Sequence, residues 1–175
     1  MAWCRQPALV MCVACLTGMA TAQDPPMLIN MNNPDLTWRS HRNPDTTCVL
    51  RGTAVSEMRD DAFEVQFRHA RGQQLKLFVL IPRLPKGGTV FMDAPTTRDR
   101  VRIFTDNYVP ALTGEQAANL RRNVAAGIPL HFTFEYSKGK PVKYETVPTG
   151  AVIAAAAFAS CVDENAQEAL KAERK

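Results

Sequence analysis

The chain has 175 residues, 46% of them hydrophobic and 22% charged, with a formal net charge of +4 at pH 7. So mild a basic balance does not point to nucleic acid, which calls for strongly clustered positive charge. The length suits one domain with a sizeable core and excludes a disulfide-held miniature scaffold.

Residues 1–22 have the layout of a secretory signal peptide. Arg5 supplies the basic end, residues 8–20 a short apolar run, and Ala20-Thr21-Ala22 a small-residue cleavage site. The apolar run is shorter than the roughly 20 residues a membrane span requires. Cleavage is expected after Ala22. The mature part, 23–175, is then a single exported β-rich domain. Losing Arg5 lowers the basic count from 21 to 20 against 17 acidic residues, a net of +3. Such a domain, periplasmic or secreted, mildly favours anionic envelope partners.

Residues 23–43 are rich in Pro and Asn (DPP, NNP, RNP) and read as an extended lead-in, with a short edge strand at 36–38. Residues 46–51 alternate and form a strand carrying Cys48. Phe63, Val65 and Phe67 point inward from the next strand. His69-Ala-Arg-Gly72 is a turn. Leu75, Leu77, Val79 and Ile81 line one face of a strand whose other face holds Phe78 and Leu80, so this strand is expected to be central and covered on both sides. Pro82 and Pro85-Lys-Gly-Gly88 end it. Residues 89–92 and 100–105 are further strands.

Thr113-Gly-Glu-Gln116 has the spacing of a capping box, with Leu112 and Ala117 as a hydrophobic staple. It predicts a helix with inner face Ala117, Leu120 and Val124, closed by Gly127. Leu130, Phe132, Phe134 and Tyr136 alternate with polar residues. Lys138-Gly-Lys-Pro141 then turns the chain into a hairpin partner at 142–146. The last element is the run Ala151 to Ala159 followed by Cys161. It is too short for a membrane span, and Asp163 and Glu164 place charge directly behind it. It reads as a buried helix with Thr149 as cap and Ile153, Ala154, Ala157, Phe158 and Cys161 on one face.

The cysteine arithmetic ties the two ends together. Of five cysteines, Cys4, Cys12 and Cys15 lie in the signal, leaving Cys48 and Cys161. Two cysteines in an oxidising compartment read as one disulfide. No C-x-x-C motif is left to suggest a redox role. The expected fold is mainly β (α+β): an antiparallel β-sandwich or open barrel of about six or seven strands, with a mid-chain helix and a C-terminal helix tied by the disulfide.

Chemistry-bearing patterns are sparse. His41, His69 and His131 are isolated, with no ligand-pair spacing, so no metal and no cofactor is expected. Ser40-His41 are neighbours but lack a nucleophile elbow. Asp60-Asp61 precede a strand and read as turn residues. Met27 and Met31 are a thin basis for copper. No catalytic residue is assigned. In TTRDRVRIF, Arg98, Arg100 and Arg102 fall on one face of a strand, and Arg121 and Arg122 add charge on the mid-chain helix. Their plainest role is a charged, solvated edge. The sharper one is an anion-binding ridge for a phosphorylated lipid, a peptidoglycan carboxylate or an acidic protein.

The landmark order resembles small exported proteins of the invasion-associated locus B family: Trp38, then Cys48-Val49-Leu50, FEVQF, the strand ending at Pro82, a helix, AGIPLHFTF, and TGAVIAAAAFASC. It is similar also to the N-terminal domain of the flagellar MotY proteins, where an early C-x-L cysteine pairs with one after such a helix. The resemblance spans residues 36–162. The C-x-x-G-C element of the first family and the peptidoglycan-binding second domain of the other are not in this sequence. It implies a disulfide-closed β fold in the envelope and an accessory or binding role, and supplies no catalytic residue. The expected function is a non-enzymatic periplasmic or secreted accessory protein binding an envelope protein or anionic envelope component. The alternatives are a secreted virulence or host-interaction factor, and an inhibitor or immunity protein against an envelope hydrolase.

Overall fold

Alternation of apolar and polar residues builds most of this molecule, and its period of two places each apolar set on one side of a sheet. A computed structural model describes residues 37–58, 61–81, 89–93, 100–103, 109–135 and 139–173. In chain order the elements are β1 (Arg39–Arg42), β2 (Cys48–Ser56), β3 (Ala62–His69), β4 (Lys76–Leu80), β5 (Thr89–Asp93), β6 (Arg100–Ile103), β7 (Leu112–Thr113), α1 (Gly114–Ala125), β8 (His131–Glu135), β9 (Val142–Thr146) and α2 (Ala151–Glu173). The signal peptide, the lead-in to residue 36, Met27, Met31, Asp60, Pro82, the 85–88 turn, Arg98 and Tyr136 lie outside the described residues.

The described strands form one nine-stranded antiparallel sheet in the order β6-β5-β8-β9-β2-β3-β4-β7. It curls into a nearly closed barrel rather than splitting into a sandwich. Strand β2 is the pivot. β3 pairs along nearly all of one edge, while β1 and β9 divide the other, β1 at Cys48–Arg51 and β9 at Ala54–Ser56. The inner face holds Leu50, Ala54, Phe63, Val65, Phe67, Leu77, Val79, Val90, Met92, Ile103, Phe132 and Phe134, all buried in one cluster with both helices. Within it Phe63 meets Phe132 edge-on at 5.1 Å and also touches Phe134 and Tyr144, whose rings lie 4.6 Å apart. Such offset and edge contacts add to what burial alone contributes.

Trp38 is buried, and its backbone N–H donates to the Thr149 carbonyl at 3.0 Å. The expected edge strand at 36–38 therefore begins later, at Arg39, because Trp38 is already bonded to the segment entering α2. Its indole lies flat against Gly52 of β2, where a Cβ would come within 2.4 Å of ring carbon Cδ2. Glycine is required there by the close approach.

Helix α1 begins after Thr113, but the Thr113 side chain makes no capping bond. Thr113 is instead the last residue of β7, opposite Lys76. The capping-box spacing marks the right place without forming the box. At the other end Gly127 N–H donates to Val124 and Ile128 N–H to Asn123, with Gly127 at φ +73°. This is a Schellman termination, as the glycine predicted.

Helix α2 differs from expectation in its facing. Ala151, Ala154, Ala155 and Phe158 are buried, and Cys161 and Val162 pack beside them. Ile153 is 79% exposed and Ala157 is also exposed. The true stripe runs through 151, 154, 155 and 158, turned away from Ile153. Cys161 allows either stripe, and only docking against β1, β2 and α1 selects one. Thr149 is not the cap. Gly150 accepts the first helical bond, from Ala154 N–H at 2.9 Å. No described helix is long and apolar enough to cross a membrane.

Cys48 and Cys161 form the disulfide, with Cα atoms 6.0 Å apart and a sequence separation of 113. One turn further along α2, Asn165 is 1% exposed. Its Nδ2 donates to the Thr46 carbonyl at 2.8 Å and to Cys48 Sγ at 3.2 Å, and its Oδ1 accepts from Arg42 at 2.6 Å. Arg42 also reaches Glu168 at 2.9 Å and Glu164 at 3.8 Å. The staple is thus flanked by a polar clamp.

Candidate functional site

The inner face of the sheet is filled, so binding surface must be sought on the outer face. Cross-strand partners share a face. One outer row runs Val55, Glu145, His131; the next runs Lys143, Thr133, Phe91, Arg102. Asp93 lies one step beyond Met92, the partner of Phe132, and so falls beside His131 in the first row. In the ladder, Arg100 of β6 is the register partner of Asp93.

A groove of about 580 Å³ crosses β2, β9, β8 and β5 here, lined by Glu57, Asp93, His131, Thr133, Lys143 and Glu145 among others. Its charges are mostly acidic, with Lys143 the one cation beside Glu57, Asp93 and Glu145. Lys143 Nζ stands 3.8 Å from Glu57 Oε1, both well exposed. Thr133 is buried between its neighbours Lys143 and Phe91. Deeper, Tyr144 Oη donates to Asp61 Oδ2 at 2.9 Å, while Asp61 Oδ1 accepts from the Ala62 N–H. Asp61 is thereby a turn residue joined to the β8–β9 hairpin.

The arginines singled out in the sequence are partly placed. Arg102 is exposed on β6, alternating with buried Ile103, and Arg100 is two positions before it. Arg121 is half-buried and Arg122 exposed on α1, and the Arg122 guanidinium donates to Asn119. Strand β6 stands at one end of the strand order, whereas α1 packs on β7 and β4 at the other and on α2. The two pairs of arginines come from different parts of the sheet.

The histidines are also dispersed. His41 and Ser40 alternate along β1, opposite Val49 and Leu50, so adjacency in sequence puts them on opposite faces. His131 is in the groove. His69 lies opposite Cys48, and burial pushes its pKa below the ordinary value of 6.5. Among the described residues no group of three or more His, Cys, Asp or Glu is placed to hold a metal ion.

No family model matches the chain, and no curated protein matches it either.

Sequence reasoning missed the groove. Its polar lining comes from outward positions of strands that are distant in the chain, β2 and β5 against β8 and β9. The one available signal was that His131, Thr133, Lys143 and Glu145 alternate with the core aromatics of a hairpin.

Proposed function

We propose that this is an exported, non-catalytic accessory protein of the bacterial envelope that binds a partner through the outer face of its sheet. The observation that carries the reading is the groove across β2, β9, β8 and β5. Its lining carries three carboxylates, Glu57, Asp93 and Glu145, and one cation, Lys143, and Arg102 of β6 is exposed on the same face. A charged lining on an open sheet face favours electrostatically matched docking. The disulfide supports a location outside the reducing cytoplasm. The signal-peptide layout supports export by the secretory route. The partner on this reading is an envelope protein that presents complementary positive charge to the groove.

The test exchanges the groove charges, Lys143→Glu with Glu145→Lys, and separately neutralises β6 with Arg100→Gln and Arg102→Gln. Each protein is used to capture partners from envelope extracts, read by mass spectrometry. A defined envelope component retained by the wild type and lost with the groove exchange is expected. The same set retained by every variant overturns the groove as the docking face. Turnover of an envelope substrate, abolished by His131→Ala or Asp93→Ala, overturns the non-catalytic reading.

A further inference from the structure

The disulfide joins two sulfurs of unequal standing. Cys48 is 0% exposed, whereas Cys161 is half-buried on α2. The helix-surface neighbours of Cys161 are Ala157, one turn before it, and Glu164, nearly one turn after it. Both are exposed, as is Ser160. A thiol can therefore approach Cys161 over the small Ala157 side chain. Cys48 has no such approach: β1 and β3 flank it in the sheet, and α2 packs over β1 and β2.

Their polar surroundings differ as well. Arg42 and His69 are the two register partners of Cys48, so the three share one row and one face. Asn165 reaches that row from α2, and its Nδ2 donates to Cys48 Sγ at 3.2 Å. Arg42 is already committed to Asn165 and Glu168. His69 Nδ1 is buried without a hydrogen-bond partner among the described residues. The Asn165 amide is thus the group that acts on this sulfur, and it is in place while the bridge is intact.

Thiol–disulfide exchange makes two demands. The attacked sulfur must be accessible, and the sulfur that leaves must carry negative charge. A buried thiolate is costly unless a hydrogen bond meets it. Cys161 satisfies the first demand, and Cys48 satisfies the second through Asn165.

We infer that thiol–disulfide exchange enters the folded protein at Cys161, with Cys48 as the leaving sulfur, and that the partner is a dithiol-class oxidoreductase docking over α2. The protein is the substrate of this exchange and not its catalyst, since residues 23–175 hold only these two cysteines. In reduction, a thiolate of the partner attacks Cys161 Sγ. A new S–S bond forms there, the Cys48–Cys161 bond breaks, and its electron pair leaves on Cys48, which then takes a proton from water. The partner's second thiolate attacks the partner sulfur of the mixed disulfide and expels Cys161, which is protonated in turn. The bridge has gained two electrons and two protons, and the partner's dithiol has become a disulfide. Closure follows the same path in reverse. The inference uses neither the groove nor β6.

Folded, disulfide-intact protein is exposed to 2-mercaptoethanol, a neutral monothiol, because Glu164 beside Cys161 repels anionic ones. The reaction is quenched, free thiols are alkylated, and peptide mass spectrometry locates both labels. The expected result is the mercaptoethanol adduct on Cys161 and the alkyl group on Cys48, with the opposite pattern at least roughly tenfold rarer, because access selects the attacked sulfur. In denaturing urea the two patterns form in similar amounts, which shows that the fold imposes the choice. A dithiol oxidoreductase whose second cysteine is replaced by Ser is trapped on Cys161 as well. Asn165→Asp keeps the shape of the side chain and removes the donor. At a temperature where a thermal melt shows it folded, it forms the Cys161 adduct roughly tenfold more slowly, as loss of a hydrogen bond to a charged group implies. An even split in the folded protein, an adduct or trapped partner mainly on Cys48, or an Asn165→Asp rate at or above wild type overturns the inference.

Discussion

The amide of Asn165 donates to the carbonyl of Thr46 at 2.8 Å, across 119 positions of sequence. Thr46 has φ +65°, a left-handed conformation that is uncommon for a β-branched residue. Asn165 thus secures the strained turn just before Cys48, while the disulfide secures Cys48 itself. Replacing Asn165 with Ala leaves the Thr46 carbonyl and one Arg42 donor without this partner. The expected loss is about 1–3 kcal/mol, the range for stranding a buried polar group. Urea denaturation of the oxidised protein measures it. An unchanged midpoint would show that water replaces the clamp.

The Trp38–Gly52 contact predicts a second outcome. Gly52→Ala introduces a Cβ at 2.4 Å from the indole, with no flexible atom to give way. Destabilisation of about 1–3 kcal/mol is expected from overpacking. A Trp38→Leu background should absorb most of the penalty, so the two changes couple strongly in a double-mutant cycle. Additive losses would contradict the contact.

The Cys48–Cys161 bridge closes a loop of 113 residues. In the chain-entropy model a loop of this length contributes about 4–5 kcal/mol, mostly by restricting the unfolded chain. The Cys48→Ser, Cys161→Ser protein should therefore melt well below the wild type, and added reductant should bring the wild type down to match it. A wild-type melt insensitive to reductant would mean that packing of α2 on β1 and β2 holds the ends unaided.

His69 supplies a pH dependence. Burial lowers its pKa below 6.5 in the folded state, and its Nδ1 is buried with no hydrogen-bond partner among the described residues. A lowered histidine pKa means that the unfolded chain binds the proton more readily. Above about pH 6.5 both states are neutral, and the residue adds no slope. As pH falls through 6.5 towards the folded value, stability is lost, and the loss levels off below it. His69→Gln should flatten this part of the profile. Glu168 acts lower. Its hydrogen bond and charge contact with Arg42 depress its pKa below 4.5, so its contribution is present above 4.5 and lost as pH falls through the depressed value. Melting temperatures from pH 8 to pH 3 distinguish the two windows; a His69→Gln profile identical to wild type between pH 6.5 and 5 would remove the histidine from the account.

Much of the architecture is legible residue by residue. Phe63, Val65 and Phe67 alternate, and all are buried. Gly127 follows the periodic run 117, 120, 124 and ends the helix. Cys48 and Cys161 pair. Each depends on periodicity, backbone freedom or counting, which act locally or leave one choice. What was not legible depends on partners far away in the chain. Ile153 is the more apolar side chain, yet Ala155 is the buried one, because the docking angle of α2 against β1, β2 and α1 selects the stripe. Asn165 reads as a solvated residue of a polar tail until Thr46 and Arg42 are brought to it.

The sequence by itself determined the strand faces, the glycine-ended close of α1 and the covalent tie, since side-chain alternation, glycine geometry and cysteine number need no knowledge of neighbours. Only the tertiary structure decided that the strands curl into one nearly closed barrel, that Arg39 stands opposite Arg51, and that His131, Glu145 and Lys143 line one groove. Those juxtapositions follow from strand order and register, and a hydrogen-bonded backbone ladder pairs strands without regard to how far apart they lie in the chain.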